Sequence, residues 1–214
     1  MKSILIIGLG RFGTYMAKKF TELGNHVMVL DTDEEKIDEM LPYVTSAQIG
    51  DGTKTSVLDS IGVDNFDLCV VCVGENFQAS LETTSLLKEA GAKFVLSRAS
   101  TEIQAKFLLR NGADDVVFAE KEMAERLAVK YSADNIFDYI QLTPEYSIYE
   151  IPATRSWEGK TIREKNVRAK YNLNILAVKR GKELVPLPDA DYAFNGAERL
   201  IVMCRRADID RIIH

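Results

Sequence analysis

The sequence predicts an α/β fold: a doubly wound parallel sheet of six strands, followed by a crossover helix and a small α+β C-terminal domain. Three observations lead there. The apolar run Ile4–Ile7 ends in Gly8-Leu9-Gly10-Arg11-Phe12-Gly13 and passes at once into a helical pattern. Asp31 stands 18 residues after Gly13, at the end of a second apolar run, Val27–Leu30. Strand and helix patterns then alternate with short links as far as Phe118, and beyond Glu145 strands dominate.

Each element has a local reason. Strand 2–7 leads to helix 11–23, closed by Gly24. Strand 26–31 leads to helix 33–41, with Thr32 or Asp33 as N-cap and Pro42 as the stop. Strand 45–49 precedes Gly50-Asp51-Gly52-Thr53 and helix 54–61. Strand 67–73 precedes Gly74-Glu75-Asn76 and helix 77–90. Strand 93–97 precedes helix 101–111, and a short strand over 115–118 is the sixth. Such alternation means a parallel sheet covered on both faces. Its strand order should reverse beside the first strand, where ligands sit at the carboxyl ends. This is the Rossmann-like arrangement.

Residues 119–131 read as an amphipathic helix beyond the sheet, with Met123, Leu127 and Tyr131 on one face; Ile136, Tyr139 and Ile140 continue the apolar surface. That face packs either on its own domain or on a neighbouring subunit. Strands are expected over 146–151, 174–179, 183–187 and 199–204, with short helices over 161–168 and 207–213; Arg180-Gly181-Lys182 is a hairpin signal. The domains expected are 1–118, a crossover and dimerisation helix over 119–134, and 135–214.

Composition narrows the function. The 214 residues are 46% hydrophobic and 28% charged, and the net charge of −5 argues against a nucleic-acid partner. The longest apolar run, Leu68–Val73, falls short of the roughly 20 residues a bilayer requires. The first strand starts without a signal-peptide pattern, so a cytoplasmic location is expected. Cys69-Val70-Val71-Cys72 has metal-like spacing, but on a strand residues three apart point to opposite faces, so two core residues are expected. The histidines are two, His26 and His214, too few for a histidine-centred catalytic or zinc site. No Walker A sequence and no nucleophile–histidine set is present. An enzyme is therefore not expected.

The candidate site is a nucleotide cradle. Gly8 allows the tight turn, Gly10 close approach to a phosphate, and Gly13 close packing of helix on strand. The helix N-terminus offers N–H groups to an anion. Arg11 can grip phosphate oxygens in bidentate fashion, or face solvent on the first turn. Asp31 is placed for ribose hydroxyls and would reject a 2′-phosphate. Thr32 follows it, and Asp33 either joins the site or caps the next helix. Asp51, with Gly52, could accept from an adenine amino group or cap a helix. Gly74, Glu75 and Asn76, and Arg98, face the same crevice. Glu120 could join a cation to phosphates, although read alone it fits a helix N-terminal acid favoured by the dipole. The alternatives are an NAD(H)-binding redox sensor or small NAD-dependent oxidoreductase, and a scaffold with a vestigial pocket.

Four stretches carry a more specific resemblance: Ile6 to Gly13 with Phe12 inside it, Gly74-Glu75-Asn76-Phe77-Gln78-Ala79-Ser80, Gly112-Ala113-Asp114 with Glu120-Lys121-Glu122-Met123, and Asn166-Val167-Arg168-Ala169-Lys170-Tyr171. Together they resemble the cytosolic regulatory subunits of Ktr/Trk potassium uptake systems, of KtrA type. These have an RCK (or KTN) N-terminal nucleotide-binding domain and an RCK C-terminal domain. The resemblance covers essentially the whole chain. It implies homodimers assembling into an octameric ring on an integral-membrane potassium-translocating subunit, with ATP favouring the active ring and ADP the inactive one. Carried over, Arg11 reaches the terminal phosphate and Asp31 holds the ribose. Asp51, Glu75 and Arg98 surround the adenine or phosphates, and Glu120 helps bind a divalent cation such as Mg at the γ-phosphate. Some members bind cyclic di-AMP in the C-terminal domain, where Arg168, Ala169, Asn174, Ile175 and Pro188 fall. The family often has alanine at the position of Gly52.

Overall fold

A computed structural model describes residues 1–74, 76–132 and 135–213. The chain divides into two compact units, Met1–Glu120 and Lys121–His214.

The first unit is built on a parallel sheet of β1 (Ser3–Ile7), β2 (His26–Asp31), β3 (Ser46–Ile49), β4 (Leu68–Val71), β5 (Val95–Arg98) and β6 (Asp115–Val117). The order is β3-β2-β1-β4-β5-β6, so the direction of winding reverses between β1 and β4, beside the first strand as expected. The helices between them are α1 (Arg11–Glu22), α2 (Glu34–Met40), α3 (Thr55–Ile61), α4 (Phe77–Glu89) and α5 (Glu102–Arg110).

The central strand is buried on both faces, because each face is roofed. Ile4 and Ile6 join Val27, Val29, Val70 and the helix residues Ala17, Ile37 and Met40 in one layer. Leu5 and Ile7 point the other way, to Leu30, Leu58, Val71, Leu87 and Val95. Each fully buried aliphatic side chain contributes about 1.5–3 kcal/mol, so β1 anchors both layers. Cys72 lies in the first layer and Cys69 in the second, on opposite sides of the sheet, as the strand reading requires. Burial pushes both thiols up to about 12.

Helix α6 (Ala119–Ser132) runs across the boundary of the two units. None of its described residues is buried, and Met123, Leu127 and Tyr131 are exposed. The last two residues of the expected 119–134 segment lie outside the described residues, as does His214.

The second unit carries an antiparallel sheet, β10-β9-β11-β8-β7, formed by β7 (Asp138–Gln141), β8 (Tyr146–Pro152), β9 (Asn174–Arg180), β10 (Glu183–Pro186) and β11 (Arg199–Arg205). Burial alternates along β8: Ser147, Tyr149 and Ile151 are inside, Ile148 and Glu150 half-buried. One sheet face thus packs on a core of Trp157, Val167, Leu173, Phe194 and Ile209, with Trp157 meeting Tyr171 and Phe194 at ring distances of 5.1 Å.

Two expectations need correction here. Residues 138–141 do not extend the apolar surface of α6 but form β7, paired with β8. The cause is the turn between them: Thr143 Oγ1 accepts from the N–H groups of Glu145 and Tyr146, while the N–H groups of Leu142 and Thr143 reach the Tyr146 carbonyl. Ile136 is accordingly buried in the core of the second unit. The single helix expected over 161–168 is two short ones, α7 (Ile162–Lys165) and α8 (Val167–Tyr171). Asn166, at φ 48°, breaks them in the left-handed region that asparagine tolerates. Thr161 and Glu164 close a capping box at the start of α7. A last helix, α9 (Arg206–Ile213), ends the chain, and no described helix is long and apolar enough to cross a membrane.

Trp157→Ala is expected to destabilise the second unit by about 3–5 kcal/mol, read by circular dichroism as an earlier chemical-denaturation midpoint. In the folded protein Cys69 and Cys72 should resist iodoacetamide at pH 8, since raised thiols stay protonated there; mass spectrometry of the alkylated protein checks this.

Candidate functional site

The glycine loop joins β1 to α1 at the carboxyl edge of the sheet. Gly8 has φ 98°, and its N–H donates to the Leu30 carbonyl at 2.8 Å. A Cβ on Gly13 would stand 2.0 Å from the Gly8 carbonyl oxygen, so only glycine lets α1 lie this close to the loop. A Cβ on Gly10 would meet nothing within 4 Å. Gly10 is the N-cap of α1 and has no side-chain cap, so the first N–H groups of the helix lack a capping side chain.

Asp31, at the end of β2, holds this loop. One carboxylate oxygen accepts from the Leu9 N–H and the other from the Asp33 N–H at 3.0 Å. The sequence points this residue at ribose; the fold gives it a structural task too. Asp33 caps α2 by accepting from the Glu35 N–H at 3.1 Å, and pairs with Lys36 at 3.3 Å, which holds its carboxyl below the usual carboxylate range. Asp51 closes a turn instead of capping α3: its Oδ1 accepts from the Thr53 N–H at 2.9 Å and the Thr53 hydroxyl at 2.7 Å. Those bonds lower its pKa. Lys54 is the N-cap of α3.

Gly8, Gly10, Arg11, Phe12, Asp31, Thr32, Asp51, Gly52, Gly74, Arg98 and Glu120 all line one cavity of about 1030 Å³. Gly13 and Asp33 are not among its lining residues and act through loop and helix geometry. Glu75 lies outside the described residues. Asn76, read with Gly74 and Glu75, lines the cavity too; Lys36, Gln78, Glu82, Thr83 and Ser100 also line it and were not read from the sequence. Lys36 had a signal, since it lies in the first turn of the helix that follows the strand end marked by Asp31.

Three of the lining residues, Arg11, Arg98 and Glu120, make a charge cluster. Arg98, the last residue of β5, donates from Nη2 to Oε1 of Glu120 and lies 5.7 Å from the Phe12 ring centre. A Cβ on Gly74 would fall 2.6 Å from Arg98 Nη1, so this glycine makes room for the guanidinium. Glu120's carboxyl is held low by its own backbone N–H, by Arg98 and by Arg11. Among the described residues no three His, Cys, Asp or Glu side chains gather as a metal site. Glu120 is a single carboxylate already bound to an arginine.

In the second unit, Arg168 and Ala169 are exposed on α8, and Arg168 Nε donates to Asn174 Oδ1 at 2.7 Å. The Leu187 N–H reaches the Leu176 carbonyl at 2.9 Å, which brings the Pro188 segment beside β9, where Asn174 and Ile175 begin the strand.

Comparison with known proteins agrees with this architecture. Residues 4–119 match the TrkA-N domain and residues 146–214 the TrkA-C domain. The chain belongs to the TrkA-N/TrkA-C family. It is 41% identical to the Ktr system potassium uptake protein C of Bacillus subtilis over 98% of this chain and 95% of that one. To the Ktr system potassium uptake protein A of the same organism it is 37% identical, with the same coverage. The KtrA-type resemblance therefore holds along the chain. The fold also matches the GsuK channel bound to NAD, with a TM-score of 0.71 at 16% identity, over 100% of this chain and 39% of that one. The GsuK RCK domain gives 0.68 at 16% identity, over 99% of this chain and 47% of that one. Both likenesses concern the fold alone.

Gly13→Ala should destabilise the first unit by about 1–3 kcal/mol or more, because a carbonyl occupies the space of the new methyl. Gly10→Ala should stay within about 1 kcal/mol of the parent. Thermal unfolding of the two variants checks the contrast.

Proposed function

We propose that this protein is a regulatory subunit of a potassium uptake system, sensing adenine nucleotides and acting on a separate integral-membrane potassium-translocating subunit. The observation that carries the reading is the charge cluster of Arg11, Arg98 and Glu120 lining a nucleotide-sized cavity. Its family membership and its Ktr potassium uptake relatives support the physiological role. The set of residues suits recognition better than catalysis: the Thr53 hydroxyl, which lines the cavity with Asp51, spends its bond on that carboxylate in closing a turn.

In this reading the adenosine lies along Asp31, Thr32, Asp51 and Gly52, and the phosphates lie over the glycine loop. The Leu9 and Asp33 N–H groups spend their bonds on Asp31, so the phosphates take the N–H groups at the start of α1 and the guanidinium of Arg11. ATP carries about one more negative charge than ADP, and only its γ-phosphate extends to the far end of the cluster. A divalent cation such as Mg would arrive on the phosphates, with Glu120 as its protein carboxylate. Mg²⁺ is commonly held by one or two carboxylates plus substrate phosphates.

The assembly proposed is a homodimer that builds an octameric ring, cytoplasmic and peripheral to the membrane through its partner. ATP favours its active shape and ADP its inactive one. Moving such an equilibrium from 1:99 to 99:1 takes about 5.5 kcal/mol of differential affinity, which several sites in one ring can share. Arg168 and Ala169, both exposed, with the half-buried Asn174, Ile175 and Pro188, are proposed as a second ligand surface, for cyclic di-AMP, with the guanidinium of Arg168 supplying its charge. A second reading of the first cavity, NAD or NADH, is favoured by its volume, which accommodates a dinucleotide.

Titration calorimetry of the full chain with ATP, ADP and NADH tests the reading. ATP and ADP should bind with distinct affinities and NADH more weakly. Arg11→Ala should cut the ATP preference about tenfold while leaving the melting temperature near the parent's. Equal ATP/ADP discrimination in that variant, or preference for NADH, would contradict the proposal.

A further inference from the structure

The bond between Arg98 and Glu120 occupies the very group a phosphate in this cavity would need. The two partners are unequal. The Arg98 side chain is 20% exposed, seated against Gly74 and Phe12, whereas the Glu120 side chain is 59% exposed. Arg98 Nε is buried and has no hydrogen-bond partner among the described residues. The carboxylate therefore takes the guanidinium through a single nitrogen and leaves a second buried donor unused. A guanidinium presents its donors as a fork suited to two oxygens at once. A phosphate group entering the cavity could engage both Nε and an Nη, which Glu120 does not.

We propose that Arg98 and Glu120 form an exchangeable latch: Glu120 occupies Arg98 until a phosphate displaces it, which frees the start of α6. The inference rests on the nucleotide reading above and adds its regulation. Arg98 is the fixed half, because packing on Phe12 and the space at Gly74 hold it at the end of β5. Glu120 is the moving half. Its release is inexpensive, since the carboxylate is already largely hydrated and keeps its own backbone N–H at the start of a helix. Glu120 is also the last residue of the first unit. The latch thus ties the point where the chain leaves that unit to the strand end beneath the phosphates, and ligand binding cuts the tie.

The test uses the full chain in chelator, with metal-free ATP as probe and adenosine as the phosphate-free comparison. Glu120→Gln removes the competing charge and should tighten ATP about fivefold to tenfold, with little change for adenosine. Simple repulsion between Glu120 and phosphate would also tighten ATP, so the decisive comparison is made with Arg98 replaced. In an Arg98→Gln background, adding Glu120→Gln should change ATP affinity by less than twofold. Where Arg98→Gln lowers stability, Arg98→Met, which removes the charge and keeps an unbranched stem, serves in its place. Hydrogen exchange at residues 119–123 should quicken when ATP binds the parent and should already be quick in ligand-free Glu120→Gln. An unchanged ATP affinity in Glu120→Gln, or a gain that persists without Arg98, overturns the latch while the nucleotide reading stands. A parent chain that binds no adenine nucleotide overturns both.

Discussion

The carboxylate of Asp31 reaching the Leu9 N–H is the contact on which the site depends. β1 must leave the sheet, turn and become α1 within three residues, Gly8 to Gly10. The Leu30 carbonyl takes the Gly8 N–H, Asp31 takes the Leu9 N–H, and Gly13 lets the helix settle against the Gly8 carbonyl. These contacts tie the loop to β2 on one side and to its own helix on the other. The cavity mouth is then what remains where Gly10 faces open space. A buried or half-buried hydrogen bond to an ionised acceptor is worth about 1.5–3 kcal/mol, enough to hold a three-residue loop in one shape. An acid at the end of the second strand is thus required by the loop before any ligand is considered, and a sugar hydroxyl would share a carboxylate that is already oriented.

Sheet topology decides where the charges meet. The winding reverses between β1 and β4, so the ends of β1, β2 and β5, and the segment after β6, converge on one crevice. Arg11, Arg98 and Glu120 come from far-apart parts of the sequence and gather only because of that reversal. Their mixture of two cations and one carboxylate, with Arg98 half-buried and Arg11 and Glu120 exposed, makes a region where an added phosphate has much to gain and where an internal anion already competes. The second unit uses different means. Its one-sided antiparallel sheet closes around Trp157, and its polar face carries Glu150 between Lys179 and Arg199 at 3.2 and 3.1 Å.

The first unit was legible because its signals are local and redundant. Gly8, Gly10, Gly13 and Asp31 mark the first βαβ unit, and the apolar runs give the remaining strands to within a residue or two. Asp33 as the cap of α2 and the opposite placement of Cys69 and Cys72 follow from local rules. Other features depend on partners distant in sequence. The bonds of Asp51 to Thr53 and of Asp31 to Leu9 required the folded loops, and Glu120 meeting Arg98 required the sheet order. β7 was missed because four residues after a helix carry little periodicity; the Thr143 turn and the facing strand β8 make Tyr139 and Ile140 into a strand. The break at Asn166 was missed because a left-handed asparagine leaves no mark beyond its own identity. The exposed stripe of Met123, Leu127 and Tyr131 reads correctly as a stripe, yet a single chain gives it no cover.

A crystal structure of the protein grown with ATP would show whether the chain grips an adenine nucleotide by its phosphates. The phosphates are expected over the N–H groups that open α1, with Arg11 and Arg98 on the terminal oxygens and the ribose at Asp31. Density for the nucleotide elsewhere, or a cavity that stays free of nucleotide at saturating ATP, would contradict this arrangement.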